Sequence, residues 1–159
     1  MKISDIPAEQ AERLLPLLQE LHALHAENQP HRYPADPQDA ELREWLSDWL
    51  DEDGVHAIGA QSPSGALMGY AIYQIEDRPS LPIVHGGKRI MLHQIAVEDP
   101  FRRLGVGSSL IKEIQTRCKA MGIETLVTTY ATFNAASSAL MSRMGLAPVT
   151  TVAEWRMGA

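Results

Sequence analysis

"HQIAVEDPFRRLGVGSSL", His93 through Leu110, begins as an apolar run, crosses Pro100 and two arginines, and ends in Gly105 and Gly107 at the head of a helix-periodic segment. Backbone amides at a helix start have no partner inside the helix, and the dipole places partial positive charge there, so anions collect at such ends. Glycines at 105 and 107 let a ligand approach the backbone without a Cβ in the way. Arg102 and Arg103 add charge and donors for phosphate oxygens, which points to a pyrophosphate. The plainer reading is a tight strand-to-helix turn beside solvated arginines, and two glycines alone do not separate the two. Two other phosphate loops fail on the residues. A Walker A loop needs a lysine and then Ser or Thr where Ser108 and Ser109 stand, and the dinucleotide fingerprint needs a third glycine where Leu110 stands.

The strand before the loop is "RIMLHQIAV" (89–97). The helix after it carries Val106, Leu110, Ile114, Cys118 and Met121 on one stripe and stops at Gly122. Further out, "MKISDI" opens as a short edge strand. Leu14, Leu17, Leu18, Leu21 and Leu24 recur at helical spacing after Pro7, with Pro16 predicting a kink or a delayed start. "AENQPHRYPADPQ" (26–38) is a loop, and a second helix runs from about Pro37 to near Gly54 with Leu42, Trp45, Leu46, Trp49 and Leu50 on its core face. "VHAIGAQ" and "ALMGYAIYQIE" form a hairpin around "SPSG", and "DRPSLPIVHGGK" is another loop. Beyond Gly122 come a strand "ETLVTTYA", a helix opened by Asn134 and closed by Gly145, and a final strand "VTTVAEWRM" (149–157). The expected order is β-α-α-β-β-β-α-β-α-β, an α+β (mixed α/β) fold: a mixed, mainly antiparallel central sheet flanked by about four helices.

A chain of 159 residues predicts a single domain spanning 1–159. No stretch approaches the roughly twenty apolar residues of a membrane span, and the first residues lack the apolar core of a secretory signal, so the expectation is a cytoplasmic protein with no membrane partner. Cys118 is the one cysteine, which rules out an internal disulfide and suits a reducing compartment. A net charge of -6 opposes binding to nucleic acid and leaves a small cationic partner easier to accommodate. His22 and His25 lie one helical turn apart but lack a third ligand at convincing spacing, and the "DEDG" at Asp51 lacks the rest of a calcium loop, so no metal site is expected.

"IAVEDPFRRLGVGSSLI" resembles the acetyl-CoA-binding motif of the Gcn5-related N-acetyltransferases (GNAT), and Arg102-x-x-Gly105-x-Gly107 fits that pattern at every position. "YATFNAASSALMSRMGLAP" resembles the family's second motif, and the order of elements matches over nearly the whole chain. The resemblance implies acetyl-CoA as cosubstrate, with the backbone from Leu104 through Val106 and Gly107 to Ser108, beside Arg102 and Arg103, holding the pyrophosphate. It further implies that Ile95, Ala96 and Val97 pair with the pantetheine arm as an extra strand, and that Asn134, with Ser137, meets the same arm. As a plain helix N-cap, Asn134 has a structural role compatible with this one.

Acetyl transfer needs a neutral amine, yet an alkyl amine has a pKa of about 10.4, so a base must take its proton. His93, with alternation placing it on one face with Met91 and Ile95, has the right intrinsic pKa of about 6.5. A histidine in an amphipathic strand is otherwise a satisfied structural residue. "LHQIAVEDPFRRLG" is similar to arylalkylamine N-acetyltransferases, in which a histidine in this register serves as base. The family's usual proton-donating tyrosine near the end of the last helix is replaced by Met141, leaving Ser142, Tyr130 or water as substitutes. Tyr33, in "HRYPAD", and His85 are candidates for the acceptor wall. The function expected from the resemblance is transfer of an acetyl group to a primary amine of a small molecule by direct attack, with a noncatalytic acyl-CoA-binding domain or a peptide or protein amine as alternatives. A homodimer is also implied.

Overall fold

In a computed structural model, residues 1–158 are described. The central sheet has five strands in the order β1 (Lys2–Asp5), β2 (Val55–Gln61), β3 (Leu67–Arg78), β4 (Gly87–Val97) and β5 (Leu126–Thr128). The first four pair antiparallel and β4 with β5 parallel, giving the mixed sheet expected. A 3-10 helix (Ala8–Leu14) leads into α1 (Leu15–Asn28), whose first turn carries Pro16. The break expected at Pro16 therefore takes the form of a delayed start, because a proline ring is tolerated only where no amide donor is needed. α2 (Asp39–Leu50), α3 (Val106–Met121) and α4 (Ala135–Arg143) complete the helices. No helix among the described residues is long and apolar enough to cross a membrane.

Each face of the sheet has its own core. On one, Leu14, Leu17, Leu18, Leu46 and Leu50 pack over Tyr70 and Ile72. On the other, Val106, Leu110, Ile111 and Ile114 of α3 and Met141 of α4 pack over Ile58, Ala71, Ile90 and Leu92. Leu110, Ile111 and Ile114 are fully buried, as their helical spacing requires. Cys118 lies in the same core, where burial pushes its thiol pKa up and leaves it unreactive. Trp49 packs against the first core, while Trp45 stacks on it at 5.2 Å and stays half exposed.

Two expected strands differ. β5 covers only Leu126–Thr128 of the stretch 124–131, because the chain leaves β4 after Thr128. The strand expected over 149–157 is absent: no ladder partner stands beside it among the described residues, and Val149, Val152 and Trp155 are each more than four-fifths exposed. Its β-branched residues favour an extended chain, but propensity supplies no partner for the hydrogen bonds that define a strand.

Candidate functional site

β4 and β5 hold together over three rungs, Ile90–Leu126, Met91–Val127 and Leu92–Thr128, and the Thr128 hydroxyl donates to Leu92 O at 2.9 Å at the last. β4 then runs on to Val97 paired only with β3 while β5 turns away toward α4, so a wedge opens between β4 and the departing chain. His93, Gln94 and Ile95 form one wall, and Thr129, Tyr130 and Ala131 form the other. Asn134, Ser137 and Met141 of the α4 end close the wedge, and Leu21 and His25 of α1 close it from the opposite face of the sheet. Asn134 caps α4, its Oδ1 accepting from the Ser137 amide at 3.0 Å. Of Ile95, Ala96 and Val97, only Ile95 lines the wedge; Ala96 packs into the α1–α2 core and Val97 into the α3 core.

The glycine loop adjoins the far end of β4. Arg103 and Gly105 both adopt left-handed backbone, with φ of 65° and 80°. A Cβ on Gly105 would meet nothing within 4 Å, so its conformation is what demands glycine there. At Gly107 a Cβ would sit 3.0 Å from Leu140 Cδ2, a tight contact to which the leucine side chain would have to yield, because α4 packs close on the start of α3. None of the amides from Arg103 through Ser108 finds an acceptor among the described residues, and Ser109 is the first to bond back, to Gly105 O. A run of free donors at the positive end of a long helix is an arrangement able to receive an anion. The two arginines divide the work. Arg102 is tied into the loop, with Nη1 3.0 Å from Asp99 and Nε donating to Val97 O at 3.2 Å, whereas Arg103 is exposed and makes no ion pair among the described residues.

At His93 the strand is irregular. Gln94 pairs with Ile72 and Leu92 with Tyr73, leaving His93 as the extra residue of a β-bulge. The bulge breaks the expected alternation. Ile95 packs on the α3 side, while His93 lies on the α1–α2 side, 2.9 Å from Gln74 Oε1 through Nε2 and edge-to-face with Trp49 at 5.4 Å. His93 is exposed as a whole, but desolvation of the part of its ring that packs inward holds its pKa below its ordinary value, against an opposing pull from Glu76. Because Trp49 lies edge-to-face against the ring, Trp49→Leu should raise the His93 titration midpoint toward 6.5, read by NMR of the ring protons. An unchanged midpoint would show that Trp49 does not set it.

The remaining expected residues are scattered. Tyr33 is half-buried in the α1–α2 loop, with its ring 5.1 Å from His25. His85 is exposed in the β3–β4 loop and does not line the wedge. Sequence reasoning missed His25, which reaches the wedge wall held by Tyr33 and by Phe133 at 5.6 Å, with Nδ1 donating to Leu21 O. The only available signal was its spacing from His22, and that pair does not act together, since the His22 Nε2 bonds Pro34 O. Among the described residues no group of three or more His, Cys, Asp or Glu is set to hold a metal ion.

A model of the acetyltransferase (GNAT) family matches residues 18–146. The L-methionine sulfoximine/L-methionine sulfone acetyltransferase of Pseudomonas aeruginosa is 29% identical over 109 residues, covering 69% of this chain and 60% of that protein. The match thus takes in less than two thirds of that relative's length. Among solved structures, a mutant of the BH1408 protein from Bacillus halodurans has the same fold with a TM-score of 0.90 at 15% identity, over 99% of each chain. The aminoglycoside N-acetyltransferase AAC(6')-Iy in complex with CoA gives a TM-score of 0.73 at 20% identity, over 99% of this chain and 95% of that one.

Proposed function

Because this chain belongs to the GNAT acetyltransferase family, with acetyl-CoA as cosubstrate, we propose that it acetylates the primary amine of a small molecule, within a single domain and in the cytoplasm. The observation that carries this reading is that the free amides of the glycine loop and the bulged His93 flank the same length of β4, whose edge toward β5 is open. The loop amides and Arg103 hold the pyrophosphate, the open edge of β4 beside Ile95 receives the pantetheine arm, and Asn134 meets that arm from across the wedge. The thioester then lies beside His93.

With Nε2–H donating to Gln74 Oε1, the His93 lone pair is on Nδ1. A depressed pKa keeps that nitrogen unprotonated at neutral pH, so activity falls only as pH drops through the lowered value. His93 takes the ammonium proton directly or through water, the neutral nitrogen attacks the carbonyl carbon, a C–N bond forms and the C–S bond breaks, and the acetylated nitrogen gives up its second proton to water. Tyr130 or water returns a proton to the departing sulfur. That thiolate is a moderately good leaving group, with a thiol pKa of about 8.5, and tolerates the replacement of the family tyrosine by Met141.

Met141 also favours a second reading. It is buried in the α3 core and closes the wedge with a thioether that donates no proton, which suits a noncatalytic acyl-CoA-binding domain. Thiol release from acetyl-CoA, followed across methionine sulfoximine, methionine sulfone, aminoglycosides and lysine peptides, separates the readings. Turnover with a small amine supports the first, turnover with peptides alone moves the acceptor to a protein amine, and binding of acetyl-CoA without turnover on any acceptor supports the second.

A further inference from the structure

Three segments distant in the chain converge on one imidazole at the wedge. His25, near the end of α1, lines it on the same side of the sheet as His93. Its ring meets Tyr33 of the α1–α2 loop at 5.1 Å and Phe133, next to the Asn134 cap, at 5.6 Å, edge-to-face in both cases. Nδ1 lies 2.8 Å from Leu21 O. A carbonyl oxygen only accepts, so Nδ1 carries the proton and the lone pair of the neutral ring is on Nε2. Nε2 has no hydrogen-bond partner among the described residues, and it is not sealed from solvent, because no buried side-chain nitrogen or oxygen among them lacks a partner. A ring braced on two sides and tied at one nitrogen presents the other as an acceptor held in place.

The wedge contains a second such nitrogen. His93 donates through Nε2 to Gln74 Oε1, which leaves its lone pair on Nδ1. Among the described residues no Asp, Glu, Lys or Arg lines the wedge, so an ammonium entering it meets lone pairs and dipoles in place of a counter-charge. We propose that His25 Nε2 accepts an N–H of the acceptor amine while His93 takes a proton from the same nitrogen, and that this second contact makes the site select an amine over a hydroxyl of the same shape. The proposal rests on the reading that the chain acetylates a small amine. An ammonium nitrogen carries three N–H bonds and satisfies both histidines at once. A hydroxyl has a single O–H, satisfies one of them and leaves the other imidazole unpaired, which is how a site built to bond a donor rejects an analogue that lacks it.

The test compares the unaltered protein with His25→Phe, which keeps an aromatic ring between Tyr33 and Phe133 without an acceptor, and with His25→Gln, whose Oε1 restores one. The acceptor is whichever of methionine sulfoximine, methionine sulfone, an aminoglycoside or a lysine peptide releases thiol from acetyl-CoA. Its analogue with a hydroxyl in place of the reacting amine serves as competitive inhibitor. In His25→Phe the KM for the amine should rise by about tenfold or more, the scale of a hydrogen bond to a charged group, with a smaller change in kcat. The inhibition constant of the alcohol should change by less than about threefold, since its O–H still has His93. His25→Gln should recover most of the affinity for the amine, and all three proteins should share one far-UV circular dichroism spectrum and one affinity for acetyl-CoA. If His25→Phe does not fold, His25→Ala reads the same split, with added imidazole restoring the amine affinity. An unchanged KM, equal losses for amine and alcohol, or no recovery in His25→Gln would overturn the proposal and leave amine acetylation standing. No thiol release with any of the four acceptors would remove that reading and the proposal together.

Discussion

Replacing His93 by alanine should lower kcat by about 10²- to 10⁴-fold, the range for loss of a positioned acid–base group, while the affinity for acetyl-CoA stays unchanged. The separation of the two effects follows from the site. His93 stands on the bulge of β4, on the α1–α2 side, whereas the glycine loop begins beyond Val97 and takes its form from Arg103, Gly105 and the start of α3. Removing an imidazole from the bulge leaves those amides where they are. The pH profile provides the sharper readout. In the unaltered protein the acid limb should fall at a pKa below 6.5, because burial disfavours the imidazolium, and in His93→Ala that limb should disappear. His25 offers an internal control: it shares the wedge, but its Nδ1 is committed to Leu21 O and its ring is braced by Tyr33 and Phe133. His25→Ala should therefore alter KM for the amine more than the shape of the pH profile. Turnover that is the same in His93→Ala and the unaltered protein from about pH 6 to 9 would remove His93 from the chemistry.

What could be read in advance was whatever depends on residues near one another in the chain. The change from strand to helix across His93–Leu110 was visible because Pro100, Gly105 and the stripe from Val106 to Met121 are local signals, and so was the Asn134 cap, which bonds three residues on. The bulge at His93 was not. Alternation assumes one residue per rung, and only the pairing with β3 reveals that Ile72 and Tyr73 face Gln94 and Leu92 with a residue left over. For the same reason His93 and Ile95, which a strict period of two puts together, serve opposite faces. His25 joins the wedge through Phe133, a partner more than a hundred positions away, which no local pattern reports. The segment 149–157 has the composition of a strand and no ladder partner among the described residues. Propensity describes what a segment is able to do, and pairing decides whether it does it.

The double replacement Arg102→Ala, Arg103→Ala should weaken acetyl-CoA binding by roughly 100-fold or more, since charge-assisted hydrogen bonds contribute about 1.5–3 kcal/mol each and 1.4 kcal/mol is a factor of ten. The single variants should differ in kind. Arg103 is exposed and makes no ion pair among the described residues, so Arg103→Ala should remove charge from the cradle alone, with a loss that shrinks as salt rises. Arg102 already bonds Asp99 and Val97 O, so Arg102→Ala should act by loosening the loop and should weaken binding with little dependence on salt. Arg103 also holds a φ of 65°, which costs a residue with a side chain about 1 kcal/mol or more. Arg103→Gly relieves that strain, so it should leave the protein at least as stable to heat while binding acetyl-CoA more weakly, a combination that a purely structural arginine cannot produce. Calorimetric titration with acetyl-CoA, coenzyme A and NAD reads all four variants on one scale. If the double variant binds acetyl-CoA as the unaltered protein does, the free amides from Arg103 to Ser108 belong to a turn, and the pyrophosphate must be held elsewhere.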